Sequence, residues 1–212
     1  MGLVLHSYWR SSASYRVRIA LNLKGLAYEQ VTHDLRTGAQ GLPAYQSLNP
    51  QMMVPALETE DLVIPQSPAI LEWLEERYPE PPLLPKDPDG RAIVRAMAAL
   101  VACDIHPLNN LRVLKALRED LSATPDQVNR WIARWIQDGF AALEPLISRH
   151  GGIFAFGDAP TLADCCLVPQ VYSAERFGVD LTPYPKIVAV ASNAQGLPAF
   201  AAAHPSRQPD AD

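Results

Sequence analysis

Residues able to do chemistry gather in three short stretches of this chain. Between residues 9 and 16 the sequence reads Trp9-Arg10-Ser11-Ser12-Ala13-Ser14-Tyr15-Arg16, three hydroxyls and two arginines ahead of an apolar segment. Where a strand turns into a helix, the first backbone N–H groups and the helix dipole together favour an anion. Simple N-capping by Ser12 or Ser14 is the competing reading. Pro65-Gln66-Ser67-Pro68 repeats the arrangement, with Ser67 as a cap, Pro68 at the first helical position and Gln66 just outside. The third stretch, Asn49-Pro50-Gln51-Met52-Met53-Val54-Pro55-Ala56-Leu57, places a proline at the beginning of a central strand. That is out of place unless its peptide bond is cis or the backbone there is left open to pair with an extended ligand.

Other chemistries find little support. There is no G-x-S-x-G, Walker loop, G-x-G-x-x-G after a strand, or H-E-x-x-H. Cys103, Asp104 and His106 lie close together, but no second ligand pair follows, so they read as a buried cysteine beside a polar pair and no metal is expected. Cys165-Cys166 reads as core packing. Three cysteines, two of them adjacent, build no disulfide framework and suit a reducing, cytoplasmic compartment. Eighteen basic against 23 acidic residues, with no Lys/Arg cluster, argue against a nucleic-acid partner. The longest apolar run, Ala96–Cys103, falls short of the roughly 20 residues a membrane span needs, and residues 1–30 lack a signal-peptide pattern, so no membrane partner is expected.

The elements that must position these stretches fall into two domains. Leu3–Ser7 reads as a strand, Tyr15–Lys24 as a helix stopped by Gly25, and Tyr28–His33 as a strand, which is a βαβ unit. Val54–Leu57 and Leu62–Ile64 then form a hairpin, and Ser67 opens a helix through Tyr78. The expected first domain is therefore a small α/β sandwich over residues 1–80, βαβ followed by ββα. From Pro79 to Pro88 the chain reads PEPPLLPKDP, five prolines in ten residues, so residues 81–89 are expected to be an extended linker. Residues 90–212 carry helical periodicity at Arg91–Leu121, Asp126–Ser148, Leu162–Phe177 and Ile187–Ala203, an all-helical second domain. Pro107 is expected to kink the first of these helices after His106, and the tail from His204 onward is expected to fray.

The order βαβ, V-P before a strand, Q-S opening a helix, Pro-rich linker and helical domain resembles the glutathione transferases over essentially the whole chain. Arg10–Leu21, RSSASYRVRIAL, is similar to the zeta-class motif S-S-C-x-[WH]-R-V-R-I-A-L, and NPQMMVPAL, QSPAILEWLEERYP, PLNNLRVLK, LADCCLVPQV and ERFGVDLTPYP strengthen the zeta resemblance. Ala13 stands where that motif has cysteine, and Tyr15 where it has Trp or His. No protein thiol can therefore act beside the sulfur of bound glutathione.

The resemblance implies a thioredoxin-like first domain, glutathione as cofactor, a homodimer, and cis-trans isomerisation of a dianionic cis-enone. The implied substrate is maleylacetoacetate of aromatic amino acid catabolism. Maleylpyruvate, a conjugating transferase activity, or a binding module without turnover are the alternatives. It also implies site roles. Ser11 would donate its hydroxyl to the glutathione thiolate, with Ser12 as its understudy. Val54 would pair its backbone with the cysteinyl unit, with Pro55 cis. Gln66 and Ser67 would hold the γ-glutamyl end, and Gln51 the glycyl end. Arg10 and Arg176 would bind substrate carboxylates. His106 and Asn110, four apart and so on one helical face, would line a further wall. Thr161-Leu162-Ala163-Asp164 reads as a helix-starting box that serves folding.

Overall fold

The computed structural model describes residues 2–212, and the chain separates into two compact units. One comprises the residues up to Leu83 together with Gly196–Asp212. The other is Leu84–Gln195.

In the first unit, β1 (Leu3–Ser7), α1 (Ser12–Leu23) and β2 (Tyr28–Thr32) form the expected βαβ. A short helix α2 (Pro43–Leu48) follows, then β3 (Ala56–Glu58), β4 (Val63–Pro65) and α3 (Ser67–Arg77). The sheet order is β2-β1-β3-β4. β1 runs parallel to β2, with Leu5 opposite Gln30, and antiparallel to β3, with Leu5 opposite Leu57. β3 and β4 are antiparallel, with Leu57 opposite Ile64. The third strand starts two residues later than its sequence suggests. The β1–β3 ladder ends at the His6–Ala56 pair, so Val54 and Pro55 run on beyond it.

Helix α1 packs against α3 and also against α9 (Pro198–Ala203), a helix at the far end of the chain. Every residue from Ser14 to Leu21 is consequently buried, including both arginines. At its C-terminus, buried Lys24 donates to Glu75 Oε2 (2.9 Å) and to the carbonyls of Tyr78 (2.6 Å) and Pro81 (3.0 Å). Glu75 Oε2 also accepts from Leu83 N at 2.9 Å. The start of the Pro-rich stretch is thus pinned to the first unit, with Leu83 buried. Asp87 caps α4 (Pro88–Ala99), so that helix begins inside the expected linker.

In the second unit, the segment expected as one kinked helix changes type three times. Helix α4 passes into a π-helical stretch, Leu100–Ile105, then a 3₁₀ turn, His106–Asn109, and Asn110 caps α5 (Leu111–Glu119). The expected kink therefore lies across both irregular turns, and it begins before Pro107. This corrects two readings. By length and composition alone, a window within Pro88–Glu119 is apolar enough to cross a membrane, which the count of apolar runs did not register. Cys103 is exposed and not buried, because the π stretch turns it and Asp104 outward. Gly139 of α6 (Pro125–His150) is where α6 meets this stretch, since a Cβ there would lie 2.3 Å from Ile105 Cγ1. Helix α7 (Leu162–Arg176) buries Leu162 through Val171 without interruption. Its capping box is formed as read from sequence: Asp164 accepts from Thr161 N (2.9 Å), Thr161 Oγ1 (3.1 Å) and Ala155 N (2.8 Å).

The last expected helix is two helices. Helix α8 (Pro185–Gln195) ends before Gly196-Leu197-Pro198, and α9 belongs to the first unit. The tail beyond it is not frayed. Gln208 Nε2 donates to the carbonyls of Ala202 (3.0 Å) and His204 (2.8 Å), and Ala211 packs against Tyr8, Trp9, Tyr45, Val54 and Ala56.

Candidate active site

The turn between β1 and α1 is built around Ser11. Its peptide N–H donates to Tyr8 O at 3.0 Å, and its Oγ accepts from Ser14 N at 3.2 Å. Ser11 is therefore the N-cap, in place of Ser12 or Ser14. Ser12 opens the helix and Ser14 is buried behind it. A hydroxyl that accepts through a lone pair still carries its own hydrogen, so Ser11 keeps a donor for an anion at the helix start. Arg10, half-buried, lays its guanidinium 5.2 Å from the centre of the Trp9 ring. Stacking of this kind limits the orientations open to a long side chain.

The turn is held from beneath by Arg18. Its Nη1 donates to Ser7 Oγ (3.1 Å) and Tyr8 O (3.4 Å), its Nη2 to Trp9 O (2.9 Å), and its Nε to Ala203 O (3.0 Å). Sequence reasoning passed over Arg18, because an arginine at full burial is rare unless its donors are all engaged. Its signal was the second arginine of R-V-R within an otherwise apolar helix.

The Val54–Pro55 peptide bond is cis, as expected, and Glu80–Pro81 is cis as well. The loop ahead of Val54 is tied at Met53 O, which accepts from Tyr45 OH and Asn49 Nδ2, each at 2.7 Å. Asn49 Oδ1 accepts from Gln51 N at 3.1 Å. Gln51 and Gln66 meet directly, Gln66 Nε2 donating to Gln51 Oε1 at 2.5 Å. Gln66 has a φ of 68°, which turns its side chain out of the start of α3. Ser67 is buried and its Oγ accepts from Arg16 Nη1 at 3.3 Å.

A second cluster that sequence reasoning missed lies across the sheet. His6 Nδ1 and His33 Nε2 are 3.0 Å apart, His6 Nε2 is 3.2 Å from Glu58 Oε2, and Tyr45 packs on His33 at 4.1 Å between ring centres. Burial, followed by the neighbouring His6, holds the His33 pKa below the ordinary imidazole value. Tyr8 OH and Trp9 Nε1 are buried polar atoms without a hydrogen-bond partner.

The other expected residues lie in the helical unit. His106 is half-buried on the 3₁₀ turn, and Asn110 Oδ1 caps α5 by accepting from Arg112 N at 3.1 Å. The stretch between them is not α-helical, which removes the argument that four-residue spacing puts them on one face. Arg176 is exposed at the end of α7, its guanidinium 4.3 Å from the centre of the Phe177 ring. Among the described residues no group of three His, Cys, Asp or Glu side chains is placed to hold a metal.

A small sheet with a cis-proline loop, an anion-friendly helix start and an appended helical unit defines a class. The glutathione S-transferase N-terminal domain matches residues 5–82 and the C-terminal domain residues 125–202. A maleylacetoacetate isomerase of Pseudomonas aeruginosa is 54% identical over 97% of this chain and 97% of its own. A bacterial zeta-class maleyl pyruvate isomerase, solved in its holo form, is 53% identical with a TM-score of 0.97, covering 99% of this chain and 100% of its own. A maleylacetoacetate isomerase of Anaeromyxobacter dehalogenans, solved with glutathione in its active site, is 50% identical with a TM-score of 0.90, over 100% and 98% of the two chains. The chain belongs to the glutathione S-transferase family, in its zeta class.

Proposed function

We propose that this protein is a glutathione-dependent cis-trans isomerase acting on maleylacetoacetate. The observation that carries the reading is Ser11: its hydroxyl is fixed by Ser14 N–H, retains a proton to donate, and sits beside Arg10 at the start of α1.

The residues fit glutathione. Val54 lies beyond the end of the β1–β3 ladder, where an extended peptide can pair with its backbone. Gln51 and Gln66 already meet in one polar rim, and Ser67 stands behind it on Arg16. In this reading Gln66 and Ser67 hold the γ-glutamyl end and Gln51 the glycyl end. When bound, glutathione supplies a thiolate that adds to the cis double bond and leaves after rotation about the resulting single bond, so no thiol is consumed. Ser11 donates to the sulfur, and with the α1 dipole it favours the ionised form. Ser12 opens the helix and contributes its backbone N–H. Arg10 pairs with a substrate carboxylate through a planar fork suited to that group. Arg176, His106 and Asn110 are assigned their roles on the family resemblance, Arg176 for the second carboxylate.

Maleylacetoacetate and maleylpyruvate share the cis-enone and the two carboxylates, and the relatives named for each are nearly equally similar to this chain. The test is turnover of both diacids with and without glutathione. Faster turnover of maleylpyruvate moves the physiological substrate, and glutathione binding without turnover of either assigns a binding module. The reading includes a homodimer, checked by sedimentation, and a cytoplasmic setting, in keeping with three cysteines in no disulfide.

A further inference from the structure

The two peptide groups that flank the Trp9 Cα are each held by a side chain from elsewhere in the chain. Its carbonyl accepts from Arg18 Nη2 at 2.9 Å, and its N–H donates to Asp210 Oδ2 at 3.0 Å. Asp210 reaches it because the tail folds back along the first unit: Gln208 is tied to Ala202 and His204, Ala211 N donates to Gln208 O at 3.1 Å, and Ala211 packs on the Tyr8–Trp9 cluster. Asp212 adds an ion pair with Arg36. Asp210 is half-buried, and its second oxygen is enclosed without a hydrogen-bond partner. Oδ2 is thus the oxygen that serves Trp9.

We infer that Asp210 is a positioning residue for the active-site turn: the C-terminal tail delivers its carboxylate to the Trp9 N–H, fixing the peptide that sets Arg10 and Ser11. Trp9 lies two residues before Ser11, whose hydroxyl is assigned to the thiolate. Trp9 also supplies the ring on which Arg10 rests. Rotation of the Trp9 peptide would thus move both groups together. A carboxylate is the fitting acceptor, since a charge-assisted bond to a backbone N–H is stronger than a neutral one. This inference rests on the proposed reading only for what Ser11 and Arg10 do. The geometry it claims is testable without substrate.

Three full-length variants separate the possibilities: Asp210→Ala, Asp210→Asn and, as a control on the tail's other carboxylate, Asp212→Asn. Hydrogen exchange of the Trp9 amide in the free protein is the first readout. The second is the pH titration of glutathione thiolate absorbance in the complex. In Asp210→Ala the Trp9 amide is expected to exchange about tenfold faster, matching loss of ~1.4 kcal/mol. The thiolate titration is expected to move upward while glutathione affinity changes little. Asp210→Asn, which keeps an oxygen acceptor, is expected to restore most of both, and Asp212→Asn to leave both at wild type. Wild-type exchange in Asp210→Ala would overturn the inference, as would Asp210→Asn failing alongside it or Asp212→Asn reproducing its effect. Absence of any glutathione binding by the wild type would sink the proposed function instead, while the exchange readout would still decide the role of Asp210.

Discussion

The Ser11 hydroxyl and the Ser14 amide are joined by a hydrogen bond of 3.2 Å, so one side chain both caps α1 and faces the position where a thiolate is expected. Two separable losses follow for Ser11→Ala. Stability should fall by about 0.5–2 kcal/mol through the missing cap. Turnover should fall by the equivalent of about 1.5–3 kcal/mol, because a hydrogen bond to a charged group is lost. Ser12→Ala, at a position that caps nothing, should change neither by more than a few tenths of a kcal/mol. Thermal unfolding and steady-state kinetics on both variants check this, and wild-type activity in Ser11→Ala would move the thiolate donor elsewhere.

Arg10→Ala and Arg176→Ala should raise KM for the diacid and spare glutathione affinity, since an apolar electrophile needs no cation but two carboxylates do. Losing a charge-assisted partner is worth about 1.5–3 kcal/mol. The loss should shrink when the substrate is a monoester lacking the matching carboxylate. Equal losses on diacid and monoester would mean that the arginines act through structure. For Arg10 the structural route would be its stacking on Trp9, and for Arg176 its stacking on Phe177.

Much of the scaffold was legible because local rules and tertiary packing agree there. Leu3–Ser7 is a short run led by Leu-Val-Leu, and it is a strand over those residues. Thr161 and Asp164 announce a helix start that is formed as written. The Gly196–Pro198 break was also visible, as a glycine and a proline two apart, but the Ala-rich periodicity on either side masked it. Other features are decided by partners far away in the sequence. Arg18 reads as a surface residue, yet its donors are taken by Tyr8, Trp9, Ser7 and Ala203, the last 185 residues away. The tail looks unanchored because its anchor, Trp9 N–H, lies 201 residues earlier. Asn110 and His106 were placed by helical spacing, which a 3₁₀ turn does not obey.

Lys24 and Glu75 form an ion pair with the ammonium fully enclosed and the carboxylate nearly so. Replacing only one partner leaves the other charge buried and uncompensated, at a cost of about 3–5 kcal/mol. Lys24→Met should therefore lower the urea midpoint substantially and loosen the chain at Tyr78 and Pro81, whose carbonyls lose their donor. The double variant Lys24→Met with Glu75→Gln should recover part of the loss. No recovery in the double variant would show that the ties to Tyr78 and Pro81, and not the ion pair, dominate.

Asp164 makes stability depend on pH in a direction opposite to that of an exposed carboxylate. Its burial pushes the carboxyl pKa up to about 6, against the downward pull of the bonds from Ala155 and Thr161. The ordinary value, 3.8, applies once the chain unfolds. Between the two, the folded protein holds a proton that the unfolded chain has released, so this group's contribution is complete below about pH 4 and is lost as pH rises through about 6. The span of the shift corresponds to at most about 3 kcal/mol. Asp164→Asn should be destabilised by a fixed amount, because an amide cannot accept all three bonds, and it should lack this slope. The stability of wild type minus that of Asp164→Asn, from urea unfolding at pH 4 to 8, should thus shrink as pH rises. A difference that stays flat, or grows with pH, would mean that the three bonds hold the carboxylate ionised across the range and that burial does not dominate.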